Sequence, residues 1–378
     1  MVDVASSLDA NRVLRRLDGL DRLAHPCRGR LSTRSDGTAT HPFSPSTRTL
    51  TVTSTMPSQS LATNDPARTR ERLGPELYAL RRQEEDDRIA EFCQYVSPKF
   101  TFIKIHFIRP VEVFLLKLFG LYAKGRREFH KIQVVENEIS VPNLPAALDG
   151  YTILQMSDLH IDIDPALVET ISAAIAPLEY DTCVLTGDFK NLTVGESAEA
   201  VKLMSRLRPS IKSPVYAVLG NHDTLDMVAP LEDTGCRILL NESVLIERGG
   251  GRILLAGVDD PYIYKTHSIE NALAGAPASD VRILLAHSPT ILAEAEAAGF
   301  DAYLCGHTHG GQVCLPNGYP ILCHERCPRR CISGRWSIGR LQGYTSRGTG
   351  GCGLPIRLFC RPEVTIHRLC RAGRRDNR

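Results

Sequence analysis

The chain has 378 residues, of which 43% are hydrophobic and 23% charged, so it has room for one large globular domain or two modest ones. Its formal net charge of +2 gives no electrostatic reason to expect nucleic acid or another acidic macromolecule as a partner. The first thirty residues lack the apolar segment of a secretory signal, so the sequence predicts a cytoplasmic protein.

A tail and a helical arm are predicted at the N-terminal side. Residues 1–64 are rich in Ser, Thr and Arg, with Phe43 as the one aromatic residue, and this composition predicts a disordered tail. Residues 65–131 are predicted to form the arm, because Asp65 suits a helix N-cap and Pro66 suits the first helical turn. Within the arm, the charged stretch 77–96 predicts a solvated helix with one modest apolar face.

Residues 101–123 are the most hydrophobic part of the chain. Charged side chains interrupt them, so no apolar run approaches the roughly eighteen residues that a spanning helix needs. The segment forms either an interfacial helix on an anionic membrane, or a helix docked on the folded domain, or a hairpin arm used in self-association. The first alternative would place the protein peripherally at the inner face of the membrane. The sequence does not predict the oligomeric state.

Residues 132–370 are predicted to form one α/β domain, because strand-like apolar runs alternate with helical stretches. A hairpin-like piece around three glycines, 249–251, indicates a second sheet, so we expect two sheets packed face to face with helices outside. Residues 371–378 are predicted to be a basic tail. Strands are predicted near 132–141, 151–156, 182–186, 215–219, 244–248, 253–258, 281–286 and 302–305, and helices near 165–176, 196–207 and 290–298.

Five short motifs follow apolar runs in this domain. They are Asp158-Leu159-His160, Gly187-Asp188, Gly220-Asn221-His222-Asp223, His287, and Gly306-His307-Thr308-His309. Each motif would place polar side chains at the end of a buried strand, and such loops gather at one edge of a sheet. Carboxylate, amide and imidazole groups gathered in this way predict a two-metal site that hydrolyses phosphate esters.

The first two motifs supply carboxylates. In an extended chain, residues spaced by two point to the same side, so Asp158 and His160 could hold one ion together. Asp188 follows a glycine that permits close backbone approach, and its two carboxylate oxygens can bridge two cations.

The later motifs supply neutral ligands. Asn221 offers a carbonyl oxygen, and Asp223 beside His222 could orient the imidazole ring of that histidine. His307 and His309, spaced by two and flanked by glycines, are typical of a metal site because histidine is the commonest metal ligand.

The order of these motifs over about residues 150–312 resembles the calcineurin-like metallophosphoesterases. Ser346-Arg347-Gly348 and Pro355-Ile356-Arg357 are similar to a bacterial, often membrane-associated subgroup whose members resemble phosphodiesterases and UDP-2,3-diacylglucosamine hydrolases. The resemblance implies a sandwich of two mixed β-sheets flanked by helices. It also implies one metal ion held by Asp158, His160, Asp188 and His309, and a second held by Asp188, Asn221, His287 and His307.

The implied reaction is hydrolysis of a phosphoester, namely a phosphodiester or pyrophosphate of a lipid-linked or nucleotide substrate. Two divalent ions, of manganese, iron or zinc, would lower the pKa of a shared water and so supply the attacking hydroxide. His222 and Asp223 would form the catalytic pair, with protonated His222 stabilising charge or protonating the leaving oxygen.

Two other classes of function stay open. The first is a membrane-associated scaffold that binds metal without turnover, and the second is a nuclease of the same fold, which the near-neutral charge and the single Trp336 support little. A separate zinc or iron–sulfur site is a further hypothesis. It would use Cys323, His324, Cys327 and Cys331, although their spacing lacks the two separated pairs of a usual zinc site.

Overall fold

Two β-sheets form the centre of the structure, a computed structural model that describes residues 66–95, 109–321 and 327–372. The predicted tail at 1–64, residues 101–108 of the hydrophobic segment and most of the predicted basic tail lie outside the described residues. The boundaries proposed for the tail, arm and domain therefore stay predictions.

The described strands and helices alternate through most of the chain. The strands are β1 (Gln133–Val141), β2 (Thr152–Met156), β3 (Thr182–Thr186), β4 (Val215–Val218), β5 (Cys236–Ile238), β6 (Glu242–Arg248), β7 (Gly251–Gly257), β8 (Val281–Leu285), β9 (Ala302–Cys305), β10 (Gly334–Ile338), β11 (Leu341–Thr345) and β12 (Glu363–Arg371). The helices are α1 (Pro66–Leu73), α2 (Pro75–Tyr95), α3 (Arg109–Leu118), α4 (Leu121–Phe129), α5 (Leu167–Ile175), α6 (Ala198–Leu207), α7 (Val228–Asp233), α8 (Ile269–Leu273) and α9 (Leu292–Ala297).

Both sheets mix parallel and antiparallel strands. Sheet A has the order β1-β12-β2-β3-β4-β5, in which only the pairing of β12 with β2 is antiparallel. Sheet B has the order β10-β11-β9-β8-β7-β6, in which the outer pair at each edge is antiparallel and the inner pairs are parallel. The predicted fold of two mixed sheets flanked by helices is confirmed.

The apolar core has three parts, one between the two sheets and one on the outer face of each sheet. They separate four layers, in the order helices, sheet A, sheet B and helices. Side chains of both sheets, such as Ile153 of β2 and Ile283 of β8, pack together between the sheets. On the outer face of sheet A, Ile171 of α5 and Leu203 of α6 are buried against the strand residues that point towards these helices. On the outer face of sheet B, Ala295 of α9 is buried against the strands in the same way. Central strands buried on both faces are expected to be continuous apolar runs, and this is why the sequence reveals them.

The arm packs on the helix-covered face of sheet A through Leu73 of α1 and Phe129 of α4, which are both buried. Helix α3 differs, because Phe114, Leu118 and Phe119 beside it remain exposed. The left-handed residue Gly120 separates α3 from α4, so the hydrophobic segment does not continue as one helix. In the described part of the chain, no helix is both long enough and apolar enough to cross a bilayer.

Candidate metal centre

All five predicted motifs lie at one edge of the sandwich, at the carboxyl ends of parallel strands. The loops after β2, β3 and β4 of sheet A carry Asp158, Asp188 and Asn221. The loops after β8 and β9 of sheet B carry His287 and the pair His307 and His309. The two sheets face each other, so the two sets of loops meet there.

The first cluster consists of Asp158, His160 and His309, each buried. Their ligand atoms lie within 4.8 Å of one another. The Nε2 atoms of the two histidines are 3.2 Å apart, and His309 Nε2 is 3.4 Å from Asp158 Oδ1. The Asp158 carboxylate also accepts hydrogen bonds from the His307 backbone N–H and the Ser157 hydroxyl, which fix its orientation.

The second cluster consists of Asp188, His287 and His307, with the same 4.8 Å limit between ligand atoms. His307 Nδ1 is 3.2 Å from His287 Nε2, and Asn221 Oδ1 is 3.0 Å from that same nitrogen. The structure therefore brings all seven predicted ligand residues into two adjacent groups.

Asp188 lies between the two clusters. Its Oδ2 atom is 3.2 Å from His287 Nε2 in the second cluster and 3.6 Å from His160 Nε2 in the first. Its Oδ1 atom accepts the backbone N–H of His222 at 2.8 Å. One carboxylate oxygen thus faces both clusters, as a bridging ligand requires.

The hydrogen bonds behind His160 and His287 leave one nitrogen lone pair of each ring directed into the site. Nδ1 of His160 donates to the Lys190 carbonyl at 2.7 Å, and Nδ1 of His287 donates to the Thr186 carbonyl at 2.8 Å. In a neutral ring Nε2 is then an acceptor, as in metal-binding histidines. Nε2 of His287 nevertheless faces Asn221 Oδ1, another acceptor. A proton or a cation must lie between them, so the donor set fits a metal ion.

Burial and one ion pair determine which side chains of the metal-free centre are charged. Burial raises the pKa of Asp158 to about 6 and lowers the pKa of His160 and of His307 to about 3. Burial also opposes the charge of Asp188, but His287 beside it outweighs this and holds the pKa of Asp188 well below its usual range. The same pair raises the pKa of His287 well above its usual value despite burial. A positive charge is therefore favoured beside Asp188.

The backbone of the centre is strained. Five of the seven candidate ligands have a positive φ, namely Asp158 (50°), His160 (37°), Asp188 (58°), His307 (70°) and His309 (51°). Residues other than glycine avoid this region, and strain of about 1–3 kcal/mol each is typical of functional sites. The expectation that Asp158 and His160 share one side of an extended chain is wrong, because left-handed turns at both residues bring them together.

Asp223 does not orient His222, which corrects the predicted catalytic pair. The Asp223 carboxylate accepts the backbone N–H groups of Asp188, Phe189 and Gly220 at 2.8–2.9 Å. Its pKa is raised to about 7 by burial and by nearby Asp188. Nδ1 of His222 instead lies 3.3 Å from the Thr193 hydroxyl. The Asp223 carboxylate thus holds the loop of Asp188 in place.

Arg357 is a residue to which the sequence analysis assigns no role. Its buried guanidinium donates to the His309 carbonyl at 2.9 Å and lies 3.2 Å from His309 Nδ1. It also donates to the Gly350 carbonyl. These contacts fix both the backbone and the ring of one candidate ligand. The signal in the sequence is an arginine among apolar residues in Pro355-Ile356-Arg357, but nothing there identifies its partner.

The cysteine hypothesis gains no support from the part of the chain that is described. Cys331 is buried in the apolar cluster outside sheet B that also contains Trp336, and Cys327 packs against that cluster. Neither three-residue cluster found among the described residues contains a cysteine. Cys323 and His324 lie outside the described residues.

A profile of the family "Calcineurin-like phosphoesterase" matches residues 151–311, the stretch that contains all five motifs. The metallophosphoesterase YkoQ of Bacillus subtilis is 31% identical over 262 residues, which cover 65% of this chain and 93% of that protein. The chain belongs to the calcineurin-like metallophosphoesterase family. It is accordingly a metallophosphoesterase, a hydrolase of a family that uses divalent metal ions.

Two further relatives of this metallophosphoesterase carry informative names. Phosphodiesterase YaeI of Escherichia coli is 29% identical over 227 residues, which cover 57% of this chain and 81% of that protein. A zebrafish (Danio rerio) protein named "Transmembrane protein with metallophosphoesterase domain" is 29% identical over 252 residues. That match covers 62% of this chain and 56% of the fish protein. These names indicate metal-dependent phosphoester hydrolysis and leave the substrate open.

Proposed function

We propose that the chain hydrolyses a phosphodiester or pyrophosphate bond of a lipid-linked substrate at two divalent metal ions. The first ion would be held by Asp158, His160, Asp188 and His309, and the second by Asp188, Asn221, His287 and His307. Bound ions would lower the pKa of a water between them and offset the charge on the phosphoryl oxygens. The identity of the ions, manganese, iron or zinc, is left to measurement.

His222 is the proposed proton donor to the leaving oxygen. Its Nε2 atom is 3.9 Å from Asp188 Oδ2, and its ring lines the cavity above the two clusters. The ring stands edge-on to His160, with 4.9 Å between the centroids. His222 is therefore next to both clusters without joining either group of three, so its Nε2 can hold a proton at the reacting bond.

The proposed substrate class rests on one observation, which is that the cavity at the metal centre also has an apolar wall. The cavity has a volume of about 690 Å³, the size of a site for a small organic ligand. Asp188, His307 and His309 of the two clusters line it. The wall is built from Leu115, Leu116, Phe119, Leu354 and Ile356. A substrate with a hydrocarbon group near its phosphate would fill both parts.

We also propose that α3 contacts an anionic membrane, from which such a substrate would be drawn. Phe114, Leu118 and Phe119 are 61%, 64% and 70% exposed, and the contact of such large apolar side chains with water is energetically unfavourable. The exposed basic residues Lys117 and Arg127 lie on the same pair of helices and suit anionic lipid headgroups. Phe119 belongs both to this exposed patch and to the cavity wall, so the patch and the cavity entrance are adjacent.

A substrate panel tests the proposed function. The protein with added Mn²⁺ would be assayed on a phosphomonoester, a bis-aryl phosphodiester, UDP-2,3-diacylglucosamine and single-stranded DNA. We expect the highest kcat/KM on the lipid nucleotide. Equal or better hydrolysis of the small diester would reject the lipid-linked class, and preferred cleavage of DNA would favour a nuclease.

Variants of the apolar wall sharpen this test. Leu115→Ser should lower kcat/KM for the lipid substrate about tenfold, because burying a leucine side chain is worth about 1.5–3 kcal/mol. The small diester should be unaffected. Val134→Ser is the control, since Val134 is an exposed apolar residue of β1 that neither lines the cavity nor belongs to the exposed patch at α3. An equal loss on both substrates would mean that Leu115 acts on the metal centre.

Membrane contact has its own test. Sedimentation with vesicles of phosphatidylglycerol and phosphatidylcholine should capture the protein, and vesicles of phosphatidylcholine alone should capture less. The double variant Phe114→Ser, Leu118→Ser should stay in the supernatant, whereas Val134→Ser, which changes an exposed side chain on β1, should sediment like the wild type. Equal sedimentation of all three proteins would reject the contact.

A further inference from the structure

Arg81 of helix α2 is a buried cation behind the metal centre. Its side chain is 0% exposed. The guanidinium lies over the ring of Tyr264, 3.2 Å from the centroid, and its Nε atom is 3.2 Å from Asp259 Oδ2. Its Nη2 atom donates to the backbone carbonyl of Asp223 at 3.0 Å. The predicted solvated helix at 77–96 therefore inserts a charged side chain into the protein.

The same turn of α2 holds the loop that follows β4 at two more points. Glu85 accepts the backbone N–H of Leu225 at 2.9 Å, and Arg82 forms a 3.1 Å ion pair with Asp226. Residues 81–85 thus contact residues 223–226 through three polar interactions. This loop begins with Asn221 and His222, the candidate ligand and the proposed proton donor.

Arg81 also joins the two sheets. Asp223 belongs to the loop after β4 of sheet A, whereas Asp259 and Tyr264 belong to the loop after β7 of sheet B. In that second loop, the ring of Tyr262 packs on His307, with 4.5 Å between the centroids. Arg81 therefore bridges two loops that flank the second cluster, one carrying Asn221 and the other contacting His307.

A purely structural anchor would not need this position. Arg72 of α1 already fixes the arm to the domain, through ion pairs with Glu232 and Glu242 and a hydrogen bond to the Ile238 carbonyl. That contact lies at α7, β5 and β6, away from the motif loops. Burying a guanidinium is costly and often brings no net stability, so its placement behind the motif loop calls for another explanation.

We infer that Arg81 is a positioning residue that sets the spacing of the second metal cluster, with Glu85 holding the same loop. The inference rests on the proposed function, because Arg81 acts through Asn221 and His307. It assigns a role in the metal centre to a helix outside residues 151–311, the part that matches the family profile.

Stepwise Mn²⁺ binding to the full chain tests this inference. Binding to the wild type, Arg81→Lys and Arg72→Lys would be followed by calorimetry and by the magnetic coupling of paired Mn²⁺ ions in EPR spectra. Lysine keeps the cation beside Asp259 but cannot also reach the Asp223 carbonyl. We expect Arg81→Lys to weaken one of the two ions about 10–100-fold, to weaken the other less and to lower kcat in parallel. Arg72→Lys should change only the melting temperature.

A second pair of variants covers the case in which Arg81→Lys does not fold. Glu85→Ala should weaken the same ion, and Glu85→Gln, which keeps an acceptor for the Leu225 N–H, should restore it. Wild-type affinity for both ions in folded Arg81→Lys would overturn the inference, as would equal weakening of both ions. Failure of Glu85→Ala to affect binding would also overturn it if Arg81→Lys does not fold. Wild-type protein that binds no divalent ion would reject the proposed function itself, and the positioning role with it.

Discussion

Gly220→Ala is the substitution whose effect follows most directly from the geometry of the metal centre. A Cβ atom on Gly220 would lie 2.3 Å from Asp188 Oδ1 and 2.6 Å from the Asp188 backbone nitrogen, whereas ordinary contacts begin at 3.4 Å. The two loops would therefore have to separate by about 1 Å. A displacement of this size at a reacting centre can cost about 100-fold in rate.

The displaced groups are the ones that place the Asp188 carboxylate, which is proposed to bridge the two ions. Asp188 Oδ1 accepts the His222 N–H, and the Asp188 N–H donates to Asp223, both at 2.8 Å. We expect Gly220→Ala to lower kcat on bis(p-nitrophenyl) phosphate about 100-fold and to reduce the bound metal below two ions per chain. Steady-state kinetics and elemental analysis of the purified protein measure both quantities.

Gly251→Ala is the matched control for this substitution. Its Cβ would lie 2.6 Å from Cγ of Leu148, a similar overlap, but the contact is in the apolar core between the sheets. This variant should lose stability and keep both ions. Folded Gly220→Ala with two bound ions and kcat within about threefold of the wild type would refute the reasoning.

Three further predictions follow from other contacts in the structure. Asp188→Asn should abolish turnover and weaken metal binding, and near-normal turnover at full metal occupancy would reject the bridging role. His222→Ala should lower turnover about 100-fold or more with both ions retained, whereas loss of an ion would make His222 a ligand. Burial lowers the pKa of His367 to about 3, so the neutral ring contributes stability above pH 6.5 that is lost as the pH falls towards 3. Below pH 6.5, the free energy of unfolding of the wild type should therefore rise with pH, by up to about 1.4 kcal/mol per pH unit from this residue. His367→Gln should remove this contribution and so reduce the slope of the free energy of unfolding against pH, measured with urea. An unchanged slope would contradict the prediction.

The edge of the sandwich that carries the site was predictable because the pattern that marks it, an apolar strand followed by polar residues, is local in the sequence. Buried parallel strands are continuous apolar runs, and the polar residues that follow them must lie where the strands end. Apolar runs ending at Met156, Thr186 and Val218 therefore located the loops of sheet A within one or two residues. The left-handed backbone of the ligands could not be read in this way, because it depends on which groups the finished loops must reach.

Side-chain partners were the part that sequence proximity could not supply. Asp223 follows His222 directly, but adjacent residues in a turn point in different directions, and the Asp223 carboxylate reaches three backbone amides instead. Neither β12 nor the partners of its buried polar residues were among the predictions. Glu363 and His367 resemble surface residues, yet both are buried, because Tyr344 and Arg347 bond to the first. The second bonds to Asn137 and Gln155.

The position of β12 has a consequence for how this protein is made. This strand comes last among the described elements, yet it lies between β1 and β2. In sheet A, β1 pairs with β12 alone. A nascent chain that has not yet released residues 363–371 therefore presents an unpaired first strand and an open edge at β2, and such edges invite aggregation. Stop codons or proteolytic cuts shortly before residue 363 should accordingly yield insoluble chains, although every candidate metal ligand would still be present.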